Sequence, residues 1–130
     1  MSFFAALRQL LPTAFDAEAL DALRADHPRT VLLDVREPDE FADGHLAGSV
    51  LVPLGKVAHH AGMIAEAGVP VVVICRAGAR AASAAGTLRG AGAADVHVLS
   101  GGVLAWQAAG RSLERGARSP SLVNALTGRA

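Results

Sequence analysis

Short apolar runs alternate with helix-like stretches along this chain of 130 residues. The runs cover residues 30–34, 49–52, 71–74 and 95–99, and valine and leucine dominate them. Strands that are apolar throughout are buried on both faces, which is typical of parallel sheets covered by helices. The sequence therefore predicts an α/β fold, with a parallel sheet of about five strands flanked by helices on both faces.

The length is that of one domain with a single hydrophobic core. We expect this domain to occupy residues 13–110. Residues 1–12, where phenylalanine and leucine recur at helical spacing, predict an N-terminal helical extension. Residues 111–130 form a polar, arginine-rich tail, in which Ser119 and Pro120 are suited to begin one more short helix.

Composition excludes several classes of protein. The chain is 52% hydrophobic and 18% charged, with a formal net charge of zero, so it is globular and lacks the basic excess of a nucleic-acid-binding protein. No apolar stretch approaches the roughly 20 residues that span a membrane, and the first residues lack the pattern of a signal peptide. We therefore expect a cytoplasmic protein.

Helix boundaries are marked by capping residues and by glycine or proline. Asp16 is suited to cap a helix over residues 17–25, and Pro38 stands at the start of an acidic helix turn. A helix is also expected over residues 54–68, with an interruption near Gly62.

Cys75 is the only cysteine of the chain, and it directly follows the apolar run at residues 71–74. In parallel α/β sheets, ligands bind beyond the carboxyl ends of strands, where the chain turns into helices. A helix N-terminus and the charges of Arg76 and Arg80 would favour a thiolate at this position. Cys75 is therefore a candidate nucleophile, although a cysteine that only fills the core is the plain alternative.

The segment from Cys75 to Arg80, called here the Cys75 loop, is the candidate active-site loop. Its other members are Arg76, Ala77, Gly78 and Ala79. Successive N–H groups of a tight loop converge into an anion cradle, and Gly78 gives the backbone the freedom to form one.

Asp34 and Arg36 lie at the end of a neighbouring predicted strand. They could orient the Cys75 loop or bind a substrate, with Arg36 favoured as the contact, or they could form an ion pair that joins strand and helix. Both alternatives stay open. No histidine and cysteine spacing matches a zinc site, and no glycine pattern matches a nucleotide-binding loop, so neither a metal nor a cofactor is expected.

Three further segments, together with the Cys75 loop, resemble the single-domain rhodanese family of thiosulfate and persulfide sulfurtransferases. Residues 32–41 are similar to the family's Asp-Val-Arg strand end and acidic helix start. Residues 44–53 are similar to its Gly-His-Ile-x-Gly-Ala turn, and residues 99–106 to its closing Gly-Gly-x-x-x-Trp signature.

This resemblance implies a mechanism. Cys75 would take the outer sulfur of thiosulfate or a small persulfide, become a persulfide, and pass the sulfur to cyanide or a thiol. Arg76 and Arg80 would attract the anionic donor, while amides of residues 76–80 would cradle the persulfide. An acceptor protein is a further candidate partner, whereas nucleic acid is not expected.

Two other functions stay open as alternatives. A rhodanese-like module can carry sulfur or bind a partner without catalytic turnover. A related branch of phosphatases and arsenate reductases uses a longer Cys-x5-Arg loop, whereas Cys75 and Arg80 make a Cys-x4-Arg loop. The shorter loop favours a persulfide sulfur over a tetrahedral oxyanion.

Overall fold

The computed structural model describes residues 15–129, and its centre is a parallel sheet. Four strands in the order β2-β1-β3-β4 are present in this part of the chain, where about five were expected. The α/β class and the flanking helices are confirmed. The expected helical extension at residues 1–12 lies outside the described residues.

Ten elements follow one another along the described chain. The strands are β1 (Val31–Asp34), β2 (Val50–Leu51), β3 (Val71–Ile74) and β4 (Val96–Val98). The helices are α1 (Ala17–Asp26), α2 (Pro38–Asp43), α3 (Leu54–Ala67), α4 (Ala79–Gly90), α5 (Gly102–Ala108) and α6 (Leu122–Thr127).

The strands are buried on both faces, and alternate residues serve two apolar clusters. On one face, Leu33 and Val73 pack with residues of α3, α4 and α6. On the other face, Leu32 and Val72 pack with residues of α1 and α5. Every residue of β1 and β3 is buried, which explains why their sequences lack the alternation of a half-exposed strand.

One predicted helix boundary is confirmed, and one predicted interruption within a helix is absent. The Asp16 carboxylate accepts a hydrogen bond from the amide of Ala19 and caps α1 as predicted. Helix α3 is continuous through Gly62, where an interruption was expected. Val57, Ala61 and Ile64 are buried along α3, and this packing outweighs the low helix propensity of glycine.

The C-terminal tail packs against the domain. Leu126 is buried in the core, and its carbonyl oxygen accepts a hydrogen bond from the Arg29 guanidinium. The expected short helix is present as α6, but its cap is Ser121. Ser119 has a different role, since its hydroxyl oxygen accepts a hydrogen bond from the amide of Leu51 in β2.

Within residues 15–129, no helix combines the length and apolar character needed to cross a membrane.

Candidate active site

The position of Cys75 follows from the sheet. It comes directly after β3, which lies between β1 and β4, and its side chain is only 1% exposed. Its thiol is free. The chain then turns into α4, so the sulfur lies beneath the first turn of a helix, where backbone N–H groups lack intrahelical partners.

The Gly78 amide forms a hydrogen bond with the sulfur. Its N–H donates to Cys75 Sγ at a distance of 3.0 Å. Gly78 is the N-cap of α4 and has a φ angle of 126°, a conformation that side chains disfavour. Among the described residues, no side-chain hydrogen bond caps α4, so its first N–H groups have no capping oxygen.

Helix α5 holds the Cys75 loop from the outside. The amide of Val103 donates to the carbonyl oxygen of Cys75 at 2.9 Å, and the amide of Leu104 donates to that of Arg76 at 3.1 Å. Gly102 makes this approach possible, because a Cβ atom there would overlap both carbonyl groups. Its φ angle of 58° also favours glycine.

These two hydrogen bonds also orient the loop amides. In a trans peptide, the carbonyl oxygen and the following N–H point in opposite directions. Because the carbonyl groups of Cys75 and Arg76 point to α5, the N–H groups of Arg76 and Ala77 point away from it. The loop therefore turns its oxygens outward and is suited to hold negative charge on its inner side.

Asp34 and Arg36 form a buried ion pair at the end of β1. Their side chains are 0% and 5% exposed, and Arg36 binds both carboxylate oxygens of Asp34 at 2.8–3.1 Å. The guanidinium also donates to the carbonyl oxygens of Gly44 and Glu40. The ion pair, one of the two alternatives left open by the sequence, is thus present. Its burial indicates a residue pair that positions the turn and offers little surface to a substrate.

Arg80 also has a carboxylate partner, Glu40 of α2. The two guanidinium nitrogens lie 2.6 and 2.9 Å from the two carboxylate oxygens. The hydrogen bonds from Arg80 lower the pKa of Glu40 to about 2, against the opposing effect of burial. The same bonds raise the pKa of Arg80, with smaller electrostatic contributions from the neighbouring Cys75 and Asp34. Glu40 is therefore ionised at neutral pH and Arg80 lies within electrostatic reach of the sulfur.

The remaining loop residues lie near the surface. Arg76, Ala77 and Ala79 are exposed, and no ion pair of the described residues involves Arg76. A depression of about 300 Å³ lies beside the loop. Its lining includes Arg76, Glu40, Leu104 and Gln107. A larger depression, of about 910 Å³, lies between α1 and α5 and includes no residue of the Cys75 loop.

The structure brings some of the residues that the sequence indicated into contact. Cys75 and Gly78 meet at the sulfur, and Arg80 follows in the first turn of α4. Glu40 was missed, because its sequence position indicated only an acidic helix start. Its pairing with Arg80, forty residues away, depends on how α2 and α4 pack.

Known proteins resemble this chain in sequence and in fold. Residues 16–109 match the family model of the rhodanese-like domain. The thiosulfate sulfurtransferase GlpE of Pseudoalteromonas translucida is 33% identical over 93 residues, which cover 72% of this chain and 86% of that protein. The uncharacterised protein YqhL of Bacillus subtilis is 35% identical over 86 residues, 66% of this chain and 68% of that protein. A crystal structure of the Alr3790 protein from Anabaena superposes with a TM-score of 0.69 at 30% identity, over 78% of this chain and 80% of the other.

Proposed function

This chain belongs to the rhodanese-like domain family, and from that premise we propose that it is a sulfurtransferase that carries sulfane sulfur on Cys75. The donor is thiosulfate or a small persulfide, and the acceptor is a thiol or cyanide. The name of the GlpE relative supports the reaction class.

One observation carries the proposal. The sulfur of Cys75 lies at the end of an interior strand and accepts the N–H of Gly78 at the start of α4. A helix N-terminus stabilises negative charge, whether on a thiolate or on a persulfide. The exposed Arg76 adds positive charge next to the sulfur for an anionic donor.

The reaction proceeds in two steps. The Cys75 thiolate attacks the outer sulfur of thiosulfate, a new S–S bond forms, and the donor S–S bond breaks with its electron pair leaving on sulfite. An acceptor thiolate or cyanide then attacks the terminal sulfur of the persulfide. Cys75 leaves as a thiolate, and the product is a new persulfide or thiocyanate.

The acceptor lies outside these 130 residues, because Cys75 is the only cysteine among them. Attack by a second cysteine of this sequence, which would release the sulfur and leave an internal disulfide, has no candidate. The proposal thus defines a ping-pong cycle with a persulfide between its two halves.

An intact mass measurement after incubation with thiosulfate tests the first step. We expect a gain of one sulfur atom, which cyanide removes, and no gain in Cys75→Ser. An unchanged mass in the wild-type chain contradicts the proposal. Repeated thiocyanate release then separates an enzyme from a carrier that loads once, and hydrolysis of an aryl phosphate by the wild-type chain would favour the phosphatase alternative.

A further inference from the structure

We propose that Glu40 sets the charge preference for the sulfur donor by neutralising Arg80, the last residue of the Cys75 loop. The inference rests on the proposed sulfur transfer and deepens it, because it concerns which donors the site accepts. Glu40 acts here as a positioning and specificity residue that does not itself react.

The geometry binds Arg80, the last residue of the Cys75 loop, to the carboxylate of Glu40. Arg80 is the second residue of α4, directly after the turn whose Gly78 amide binds Cys75 Sγ. Both terminal nitrogens of its guanidinium are bound to Glu40. The side chains are 35% and 27% exposed, so the pair lies at the rim of the site, in partial contact with solvent.

Glu40 is itself held in place. Its Oε1 atom accepts the amide of Glu37, and its carbonyl oxygen accepts a hydrogen bond from the buried Arg36. These contacts restrain Glu40 within α2 and hold its carboxylate in a defined position. Since a bidentate pair restrains both side chains, Arg80 is oriented toward Glu40 as long as the carboxylate is charged.

The charge balance follows directly. Two arginines flank the sulfur in the sequence, but Glu40 offsets the positive charge of Arg80. Among residues 15–129, no ion pair involves Arg76, so Arg76 supplies the charge that is not offset there. Coulomb energy scales with the donor's charge, so this offset weakens the attraction of a dianion twice as much as that of a monoanion. Glu40 thereby reduces the advantage of thiosulfate over donors with less charge.

Two donors of similar shape test this difference. Thiosulfate is a dianion, whereas methanethiosulfonate has a methyl group in place of one charged oxygen and is a monoanion. In Glu40→Gln, we expect the KM for thiosulfate to fall about three- to tenfold, and the KM for methanethiosulfonate to fall by about the square root of that factor. Asp39→Asn is the matched control, since Asp39 is an exposed acid of the same helix, and both constants should stay within about twofold of wild type.

A charge-paired variant separates charge balance from direct contact. Arg80→Gln alone should raise the KM for thiosulfate about three- to tenfold, because it leaves the Glu40 carboxylate unpaired. The double variant Glu40→Gln with Arg80→Gln should return to within about twofold of wild type. A double variant as impaired as Arg80→Gln would show that Arg80 contacts the donor itself, and it would overturn the inference.

Binding of thiosulfate to a Cys75→Ser background, measured by calorimetry, does not depend on sulfur transfer. Adding Glu40→Gln should tighten the Kd for thiosulfate by about the same three- to tenfold, and added salt should reduce the gain. An unchanged Kd, or equal shifts for both donors, would overturn the role of Glu40. Absence of persulfide in the wild-type chain would instead overturn the proposed function, and the binding comparison would still decide the role of Glu40.

Discussion

Two turns follow the carboxyl ends of the adjacent parallel strands β1 and β3, and their polar groups are satisfied in opposite ways. The turn after β1, residues 34–37, is filled by the buried pair of Asp34 and Arg36, which binds two further backbone oxygens. Among the described residues, no buried ion pair occupies the turn after β3. Its oxygens are held from outside by α5, and its Gly78 amide is directed at a sulfur.

From this difference we expect substitutions in the first turn to change mainly stability, and substitutions in the second turn to change mainly activity. Charges inside the first turn satisfy each other, so changes there act mainly on folding. In the second turn, backbone groups face Cys75, and changes to the side chain that they surround act mainly on chemistry. The predictions below compare the two turns in order of expected effect.

The largest effect is expected in the second turn. Cys75→Ser should reduce thiocyanate formation from thiosulfate and cyanide by at least about 10³-fold, because the nucleophile is lost. The serine hydroxyl can still accept the Gly78 amide, so the free energy of unfolding should change by less than about 1 kcal/mol. Urea unfolding and initial rates measure both quantities. A large loss of stability would show that the second turn also carries the fold.

The first turn should show the reverse behaviour. Asp34→Ala leaves Arg36 buried without its carboxylate, and the free energy of unfolding should fall by about 3–5 kcal/mol. Replacing the exposed Asp39 of the following helix by alanine serves as the control and should change it by less than about 0.5 kcal/mol. If Asp34→Ala is as stable as wild type, the contrast between the turns does not hold.

Gly102→Ala attacks the support of the second turn from outside. The left-handed conformation costs an alanine about 1–2 kcal/mol, and the overlap with two carbonyl groups adds to this cost. Because the loop must move to relieve the overlap, we expect loading of Cys75 to slow even in the fraction that stays folded. Gly90→Ala, at an open helical position, should leave the loading rate unchanged and is the control.

The smallest effect concerns the ion pair that links α2 to the second turn. The folded-state pKa of Glu40, about 2, lies below its usual value of 4.5. The Glu40–Arg80 ion pair therefore makes its full contribution to the free energy of unfolding above about pH 4.5, and this contribution is lost as the pH falls toward 2. Because the pair is partly exposed, we expect a loss of up to about 1 kcal/mol over this range. Glu40→Gln should lose less stability between pH 5 and pH 2.5, within this window, as measured by urea unfolding. Parallel stability curves for the two chains would contradict the pairing.

Much of the fold could be predicted from local sequence. Residues 71–74 are apolar throughout, and the predicted strand agrees with β3 at both ends. The capping role of Asp16 also follows from the properties of a single residue. Helix α3 was less well predicted, since the low propensity of Gly62 was overcome by the tertiary packing of its buried neighbours.

Long-range pairings could not be predicted in the same way. The pair of Glu40 and Arg80 joins two helices that are far apart in sequence, and no spacing rule connects them. Ser119 was expected to begin a helix, but its hydroxyl binds Leu51 of an outer strand. In both cases the packing of helices and strands determines the partner, and local sequence patterns do not predict that packing.

That contact of Ser119 has a consequence for association with other molecules. Strand β2 forms one edge of the sheet, and an edge strand with free amides is a template to which a foreign strand can be added. Here the strand has only two residues, and the Leu51 amide is already occupied by the tail. The Ser119 hydroxyl therefore leaves the Leu51 amide unavailable for pairing with a foreign strand at this edge.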